Sequence, residues 1–238
     1  MRMRKKKNGE ARLSACSEIL FRPDLTRPLS DPGAELGMPG APVMLEIGAG
    51  KGRFACRMAQ RHGDCVYFAM ERVSDCVVLA AERAMSGEYG DISNLRFIVD
   101  TADNLMRIFD KGSVSSIYLN FSDPWSKKGY SKRRLTHRRY LAMYMNLLTD
   151  GGTLTFKTDN VGLFDFSLEE IEAMGLRCEI VTRDLHNSRW NENNIMTEYE
   201  ENFSSQGVSI NMLQIRKPDG FCPEVDPAFV GERRAYSK

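Results

Sequence analysis

A glycine-rich turn in LEIGAGKGRF (residues 45–54) sets Gly48, Gly50 and Gly52 between a run of strand-forming residues and a helix-like segment, with Glu46 on the strand just before them. Glycine permits a tight turn and lets a ligand approach the backbone where a helix start offers free N–H groups. The spacing is G-x-G-x-G, whereas dinucleotide sites that hold a pyrophosphate use G-x-G-x-x-G. A carboxylate at Glu46 repels a pyrophosphate but welcomes an ammonium or sulfonium group, and S-adenosylmethionine is such a cation. Glu71 ends the next β-rich run, where an acid meets ribose hydroxyls in nucleoside-binding sheets, a placement that serves NAD equally well. In IVDTADNL (98–105) Asp100 and Asp103 follow a third run. An acid there can accept the amino hydrogens of adenine or cap the following helix. Asp100, nearest the strand, is the favoured adenine contact.

The segment LNFSDPWSKKGYSKRRL (119–135) combines other chemistry. Asp123 and Pro124 make a rigid turn, Trp125 offers a flat apolar face, and Lys127, Lys128, Lys132, Arg133 and Arg134 can grip phosphates. A carboxylate, an aromatic ring and many cations describe a site for a base within a nucleic acid. Further on, FKTDN (156–160) ends a fifth run with Thr158 and Asp159, and MTEYEENF (196–203) follows. Its Thr197, Glu198 and Glu200 can hydrogen-bond a guanine edge, whose N1–H and amino group are donors.

These groups need a scaffold that brings them to one rim. β-rich runs at 43–47, 65–70, 95–99, 114–121 and 152–158 alternate with segments whose apolar residues recur three or four apart, such as Leu141, Met145 and Leu148. This βαβ rhythm predicts an α/β fold: a doubly wound, mostly parallel sheet with helices on both faces. Such sheets bind ligands at the carboxyl ends of strands where the order reverses, beside the fourth strand. The rhythm continues with a helix over 163–174, a strand over 176–182 and a last β-rich run at 208–215. The polar stretch 183–206 reads as a long loop of the kind that is commonly functional. Residues 1–41, rich in proline, read as a basic N-terminal arm and lead-in, 42–216 as the ligand-binding domain, and 217–238 as a peripheral C-terminal tail.

With 42% hydrophobic and 27% charged residues among 238, the chain should form one globular domain. No apolar run approaches membrane-spanning length, and the basic start lacks the apolar stretch of a signal peptide, so neither membrane insertion nor standard secretion is expected. The 6 cysteines form no C-x-x-C pair, which predicts reduced cytoplasmic thiols and no metal site. A net charge of +1 hides an asymmetry. Arg2, Arg4, Lys5, Lys6 and Lys7 precede any acid, 124–149 contains none, and acids dominate 159–202. One face should therefore meet an anionic partner. A nucleotide-linked oxidoreductase would share the βαβ core and Glu71 but has no use for Glu46 at a pyrophosphate. A noncatalytic RNA-binding module explains the basic segments but not a nucleoside cleft.

YLNFSDPW, KRRL, FKTDN followed by GLF, and MTEYE occur in that order, and from about Val43 to Phe203 the chain resembles the bacterial tRNA (guanine-N7)-methyltransferases of the class I S-adenosylmethionine-dependent superfamily. The resemblance implies a seven-stranded Rossmann-like fold, with 42–216 as the methyltransferase domain. It implies methylation at N7 of the variable-loop guanine (tRNA position 46), giving 7-methylguanosine and S-adenosylhomocysteine, in the cytoplasm, without a metal or an obligate protein partner. Motif by motif, Glu46, Glu71, Asp100 and Asp123 match the family's S-adenosylmethionine contacts, and Asp123 also matches the position of catalytic importance. Lys127, Asp159, Thr197, Glu198, Tyr199 and Glu200 match its substrate contacts. Where the family writes P-K-K-R-H after the Trp, this chain has Ser126, Lys127, Lys128, Gly129 and Tyr130, while Lys132, Arg133 and Arg134 remain to bind RNA. A nearer alternative keeps the methyltransferase and moves the target to an exocyclic amino group, because S-D-P-W sits where amino-methylating enzymes carry D/N-P-P-Y.

Overall fold

In the computed structural model, residues 6–227 are described; Arg2, Arg4 and Lys5 of the basic start, residues 228–238 of the tail and the side chain of Lys128 lie outside the described residues. Alternation within each strand decides which face it buries. In β1 (Val43–Ile47), Val43, Leu45 and Ile47 join one apolar cluster while Met44 packs against a second on the opposite face. In β2 (Val66–Glu71), Val66, Phe68 and Met70 join the first, Tyr67 and Ala69 the second. Strands buried on both faces belong at the centre of a parallel sheet. These two pair in parallel from Val43 opposite Val66 to Ile47 opposite Met70.

β3 (Leu95–Val99), β4 (Val114–Asn120) and β5 (Leu148–Thr158) extend the sheet in parallel. β6 (Cys178–Thr182) and β7 (Asn211–Arg216) complete it, β7 running antiparallel to both of its neighbours. The order is β3-β2-β1-β4-β5-β7-β6 across 7 strands. α1 (Gly9–Ala15), α2 (Arg53–Arg61) and α3 (Ser74–Ala84) cover the Tyr67 face, and α4 (Leu105–Ile108), α5 (Arg138–Leu147) and α6 (Val161–Ala173) cover the other. Each fully buried aromatic, such as Phe68 or Phe97, contributes about 1.5–3 kcal/mol.

The expected long loop is not structureless. It carries a 3-10 turn, Arg189–Asn193, and then α7 (Glu198–Ser204), started by a capping box in which Thr197 and Glu200 satisfy each other's backbone N–H groups. The basic run forms a short 3-10 helix, Lys128–Arg133. The lead-in packs on the sheet: Leu20 bridges Phe97, Leu29 bridges Phe109, and the Phe21 ring meets Phe68 edge-on at 5.6 Å. In the tail, Pro223 O accepts a 2.8 Å hydrogen bond from Asn146 Nδ2. Among the described residues no helix is long and apolar enough to cross a membrane.

Candidate active site

At the carboxyl ends of β1 and β4, where the strand order reverses, the surface opens into a cavity of about 460 Å³, a size suited to a small-molecule ligand. The glycine turn forms one lip. Gly52 has φ +75°, and a Cβ on it would stand 2.7 Å from Ala80 Cβ and 2.9 Å from the Phe97 ring, so only glycine fits between strand and helix. The Gly50 N–H donates to Glu71 Oε2 at 3.1 Å and the Val73 N–H to Glu71 Oε1 at 2.9 Å, so one carboxylate stitches the turn to the start of α3. A carboxylate has about four lone-pair sites, which leaves Glu71 acceptor capacity toward the cavity it lines.

Both candidate adenine contacts line the cavity. Asp100 Oδ1 accepts from the Thr101 N–H and from Asn104 Nδ2, each at 2.7 Å. Asp103 is drawn toward α5, accepting from the Tyr140 hydroxyl at 2.9 Å and facing Arg139 at 3.8 Å. Glu46 lies beneath the cavity wall, 1% exposed, its Oε1 accepting from Asn120 Nδ2 at 2.9 Å. Burial lifts its carboxyl to about 7, against the pull of Asn120 and Lys157. Glu46 Oε2, Asn120 Oδ1 and Ser122 Oγ are buried without a well-formed hydrogen bond. Asn120 and Ser122 line the cavity, and buried oxygens left unsatisfied are costly, so this corner suits a donor-rich ligand group such as the ammonium of S-adenosylmethionine; Glu46 lies behind them, beside the buried Tyr67 hydroxyl.

Past β4 the chain makes a strained turn. Phe121 (φ +52°) and Trp125 (φ +40°) both adopt the left-handed conformation, which costs bulky residues on the order of 1–3 kcal/mol each and gathers at functional sites. The turn is braced by the Phe121 N–H on Lys157 O at 2.9 Å and by Arg134, whose Nε donates to Pro124 O at 2.9 Å and Nη2 to Trp125 O at 3.3 Å. Asp123 stands between the two strained residues at the cavity rim, its side chain 65% exposed, with Arg72 Nη2 3.7 Å from its carboxylate. The Arg133 guanidinium lies 5.0 Å from the Trp125 ring and 4.7 Å from that of Tyr130. Lys127 and Lys132 are exposed.

The substrate-side candidates divide. Tyr199 is exposed, its ring stacked 4.2 Å from Phe203 and tilted 4.9 Å from Phe121, and its hydroxyl donates to Asp159 Oδ2 at 3.3 Å. Thr197 is occupied in the capping box, and Glu198 pairs with Arg83 and Lys51. Glu200 is wholly buried, accepting from Lys157 Nζ at 2.6 Å and Asn194 Nδ2 at 2.7 Å, with His186 Nε2 at 2.9 Å. Burial pushes the Glu200 carboxyl up, but Lys157, Asn194 and His186 together outweigh it and hold it below its ordinary range. The sequence reading did not single out Asn120, Lys157, His186, Arg72 or Arg83. Lys157 carried a usable signal, since a lysine inside a buried β-run must find an acid.

The sheet order, with one strand inserted antiparallel beside the edge and an acid-lined crevice at the switch point, defines a class I S-adenosylmethionine-dependent methyltransferase. The 16S rRNA methyltransferase KamB shares the fold with a TM-score of 0.57 at 12% identity, over 91% of this chain and 96% of that one. The chain belongs to the tRNA (guanine-N7)-methyltransferase family. A family model described as a putative methyltransferase matches residues 40–213. The tRNA (guanine-N(7)-)-methyltransferase of Macrococcus caseolyticus is 40% identical over 175 residues, 74% of this chain and 81% of that protein. Its counterpart in Clostridioides difficile is 37% identical over 217 residues, 91% of this chain and 99% of that protein.

Proposed function

We propose that the chain methylates N7 of the variable-loop guanine of tRNA (position 46) in the cytoplasm, yielding 7-methylguanosine and S-adenosylhomocysteine, with no metal and no obligate protein partner. The observation that carries this is Asp123, held exposed by a strained aromatic turn on the rim of an acid-lined nucleoside-sized cavity. Bound S-adenosylmethionine supplies a methyl group activated by its sulfonium. Glu46, Glu71, Asp100 and Asp123 bind that cofactor, with Gly48, Gly50 and Gly52 shaping the turn beside it. Lys127, Asp159 and Tyr199 serve the guanine; Thr197, Glu198 and Glu200, which the resemblance matched to substrate contacts, are engaged within the protein and instead seat the helix that carries Tyr199; and Lys128, Lys132, Arg133 and Arg134 serve the tRNA backbone.

Guanine N7 carries a lone pair and no proton, so no residue has to act as a base on the attacking atom. The protein's task reduces largely to placement, which can supply several kcal/mol when reacting atoms are held about 3–3.5 Å apart. Asp123 accepts from the N–H groups of the guanine edge and offsets the positive charge that appears on the alkylated ring. The test is to methylate bulk tRNA with the purified protein, digest it and identify the nucleoside by mass spectrometry. 7-Methylguanosine is expected; a purine methylated on its exocyclic amino group would replace this reading.

A further inference from the structure

Arg83, in the last turn of α3, joins the glycine turn beside the cavity to α7 with one side chain. Its Nη1 donates to the carbonyl of Lys51, inside the glycine turn, at 3.0 Å, and its Nη2 donates to Glu198 Oε1 at the start of α7. Lys51 Nζ stands 3.7 Å from the other oxygen of Glu198. Arg53 and Arg57, on the helix that leaves the turn, both reach Glu201 of α7. The contact is thus polarised: cations on and around the cofactor turn, acids on the segment that borders the guanine side. From within, Lys157 fixes Glu200, so α7 is gripped from two directions. Among the described residues, only Arg83 bonds the backbone of the turn and a side chain of α7 at once. A planar guanidinium can serve a carbonyl and a carboxylate together, which the compact ammonium of lysine does poorly.

We infer that Arg83 is a positioning residue for methyl transfer: by tying the glycine turn to α7 it fixes the separation between the bound methyl donor and the guanine. This rests on the function proposed above. In-line transfer tolerates little displacement, and a misplacement of about 1 Å costs on the order of a hundredfold in rate. Arg216 provides a matched control far from the crevice, since it also joins a carboxylate, Glu179 at 2.7 Å, to a backbone carbonyl, Gly151 at 2.7 Å.

The experiment compares R83M, R83K, E198Q, the R83M/E198Q double variant and R216M. For each, one measures label transferred from S-adenosylmethionine to tRNA in a single turnover with both saturating, S-adenosylhomocysteine affinity by calorimetry, tRNA affinity and the urea midpoint. R83M and E198Q should each slow the saturated step by about ten- to a hundredfold while both affinities stay within about threefold, because geometry rather than binding is lost. The double variant should be no slower than the worse single one, as expected for two residues of one contact. R83K should recover only part of the rate, and R216M should match the unmodified protein. A saturated rate for R83M within about threefold of the unmodified protein, or multiplicative effects in the double variant, would overturn the inference. So would a loss confined to cofactor affinity or to the urea midpoint. Label is counted whichever tRNA atom accepts it, so an unexpected product nucleoside would sink the N7 assignment and leave this comparison intact.

Discussion

Gly50 and Glu71, which bond across the cofactor wall of the crevice, are 21 residues apart, and Asp100 closes on Thr101 and Asn104 within its own turn. The substrate wall is assembled over longer spans. Lys157 and Glu200 are separated by 43 residues, Arg83 and Glu198 by 115, and Arg53 and Glu201 by 148. One wall consists of backbone turns that form with the sheet; the other consists of charged side chains arriving from separate elements. A backbone wall is insensitive to most side-chain changes, whereas the ionic one depends for its stability on its buried pair, Lys157 and Glu200, since a buried charge without its partner is expensive, while the part-exposed pairs of Arg83, Arg53 and Arg57 add little to folding.

The sharpest way to break this contrast is Lys157→Met. It leaves Glu200 buried beside His186 and Asn194 without its main counter-charge, and unfolding free energy should fall by about 3–5 kcal/mol. Urea denaturation at neutral pH measures it, and a loss below about 1 kcal/mol would mean that the substrate wall does not depend on this pair. Asp123→Asn acts on the chemistry instead. The amide nearly keeps the carboxylate's shape but replaces an acceptor with a donor and removes the charge. Single-turnover transfer with both substrates saturating should slow by on the order of a hundredfold, about 3 kcal/mol, with folding unchanged. A rate within about threefold of the unmodified protein would reduce Asp123 to a turn residue.

The smallest expected effect probes the cofactor wall. Glu46 has its carboxyl raised to about 7 by burial, so the folded chain prefers the protonated form. That contribution to stability is complete below the ordinary carboxyl range near pH 4.5 and is lost as pH rises through about 7. Binding of an ammonium group runs the other way, because it favours the ionised carboxylate. S-adenosylhomocysteine affinity should therefore strengthen from pH 5.5 toward 7, by at most about tenfold per unit, and level off above. Calorimetry across that range should show the slope in the unmodified protein and none in Glu46→Gln. A flat profile in both would put the ammonium elsewhere.

The sheet was legible because its strands announce themselves by period, and the glycine turn, Glu71 and Asp100 because each is displayed at the end of such a run. The place of Asp123 at the cavity rim was legible through the rigidity of Asp-Pro beside Trp125. The seat of α7 was not. Thr197-x-x-Glu200 is a readable capping box, but a seven-residue helix inside a polar stretch has too few apolar repeats to show a period, and the same residues also suit a guanine edge. Neither Lys157 nor Arg83 names its partner, since pairing over 43 or 115 residues is decided by topology rather than local pattern. The packing of the lead-in was hidden for the same reason: Ile19, Leu20 and Phe21 form an apolar run too short to show a period, just ahead of the prolines, and nothing in it points to β3.

That packing bears on how the molecule keeps to itself. A sheet edge with unpaired N–H and C=O groups invites another copy to add a strand. The outer side of β3 is partly closed by Leu20 and by the Phe21 N–H on Phe97 O at 2.9 Å. At the opposite edge, β6 is five residues long and carries Glu179 paired to Arg216, a short charged border of the kind that discourages strand addition. Leu20 and Phe21, outside the stretch matched by the family model, thus cover an edge that would otherwise be open: a chain cut at residue 40 would bare the Phe97 backbone and the Phe68 ring, and self-association is its expected fate.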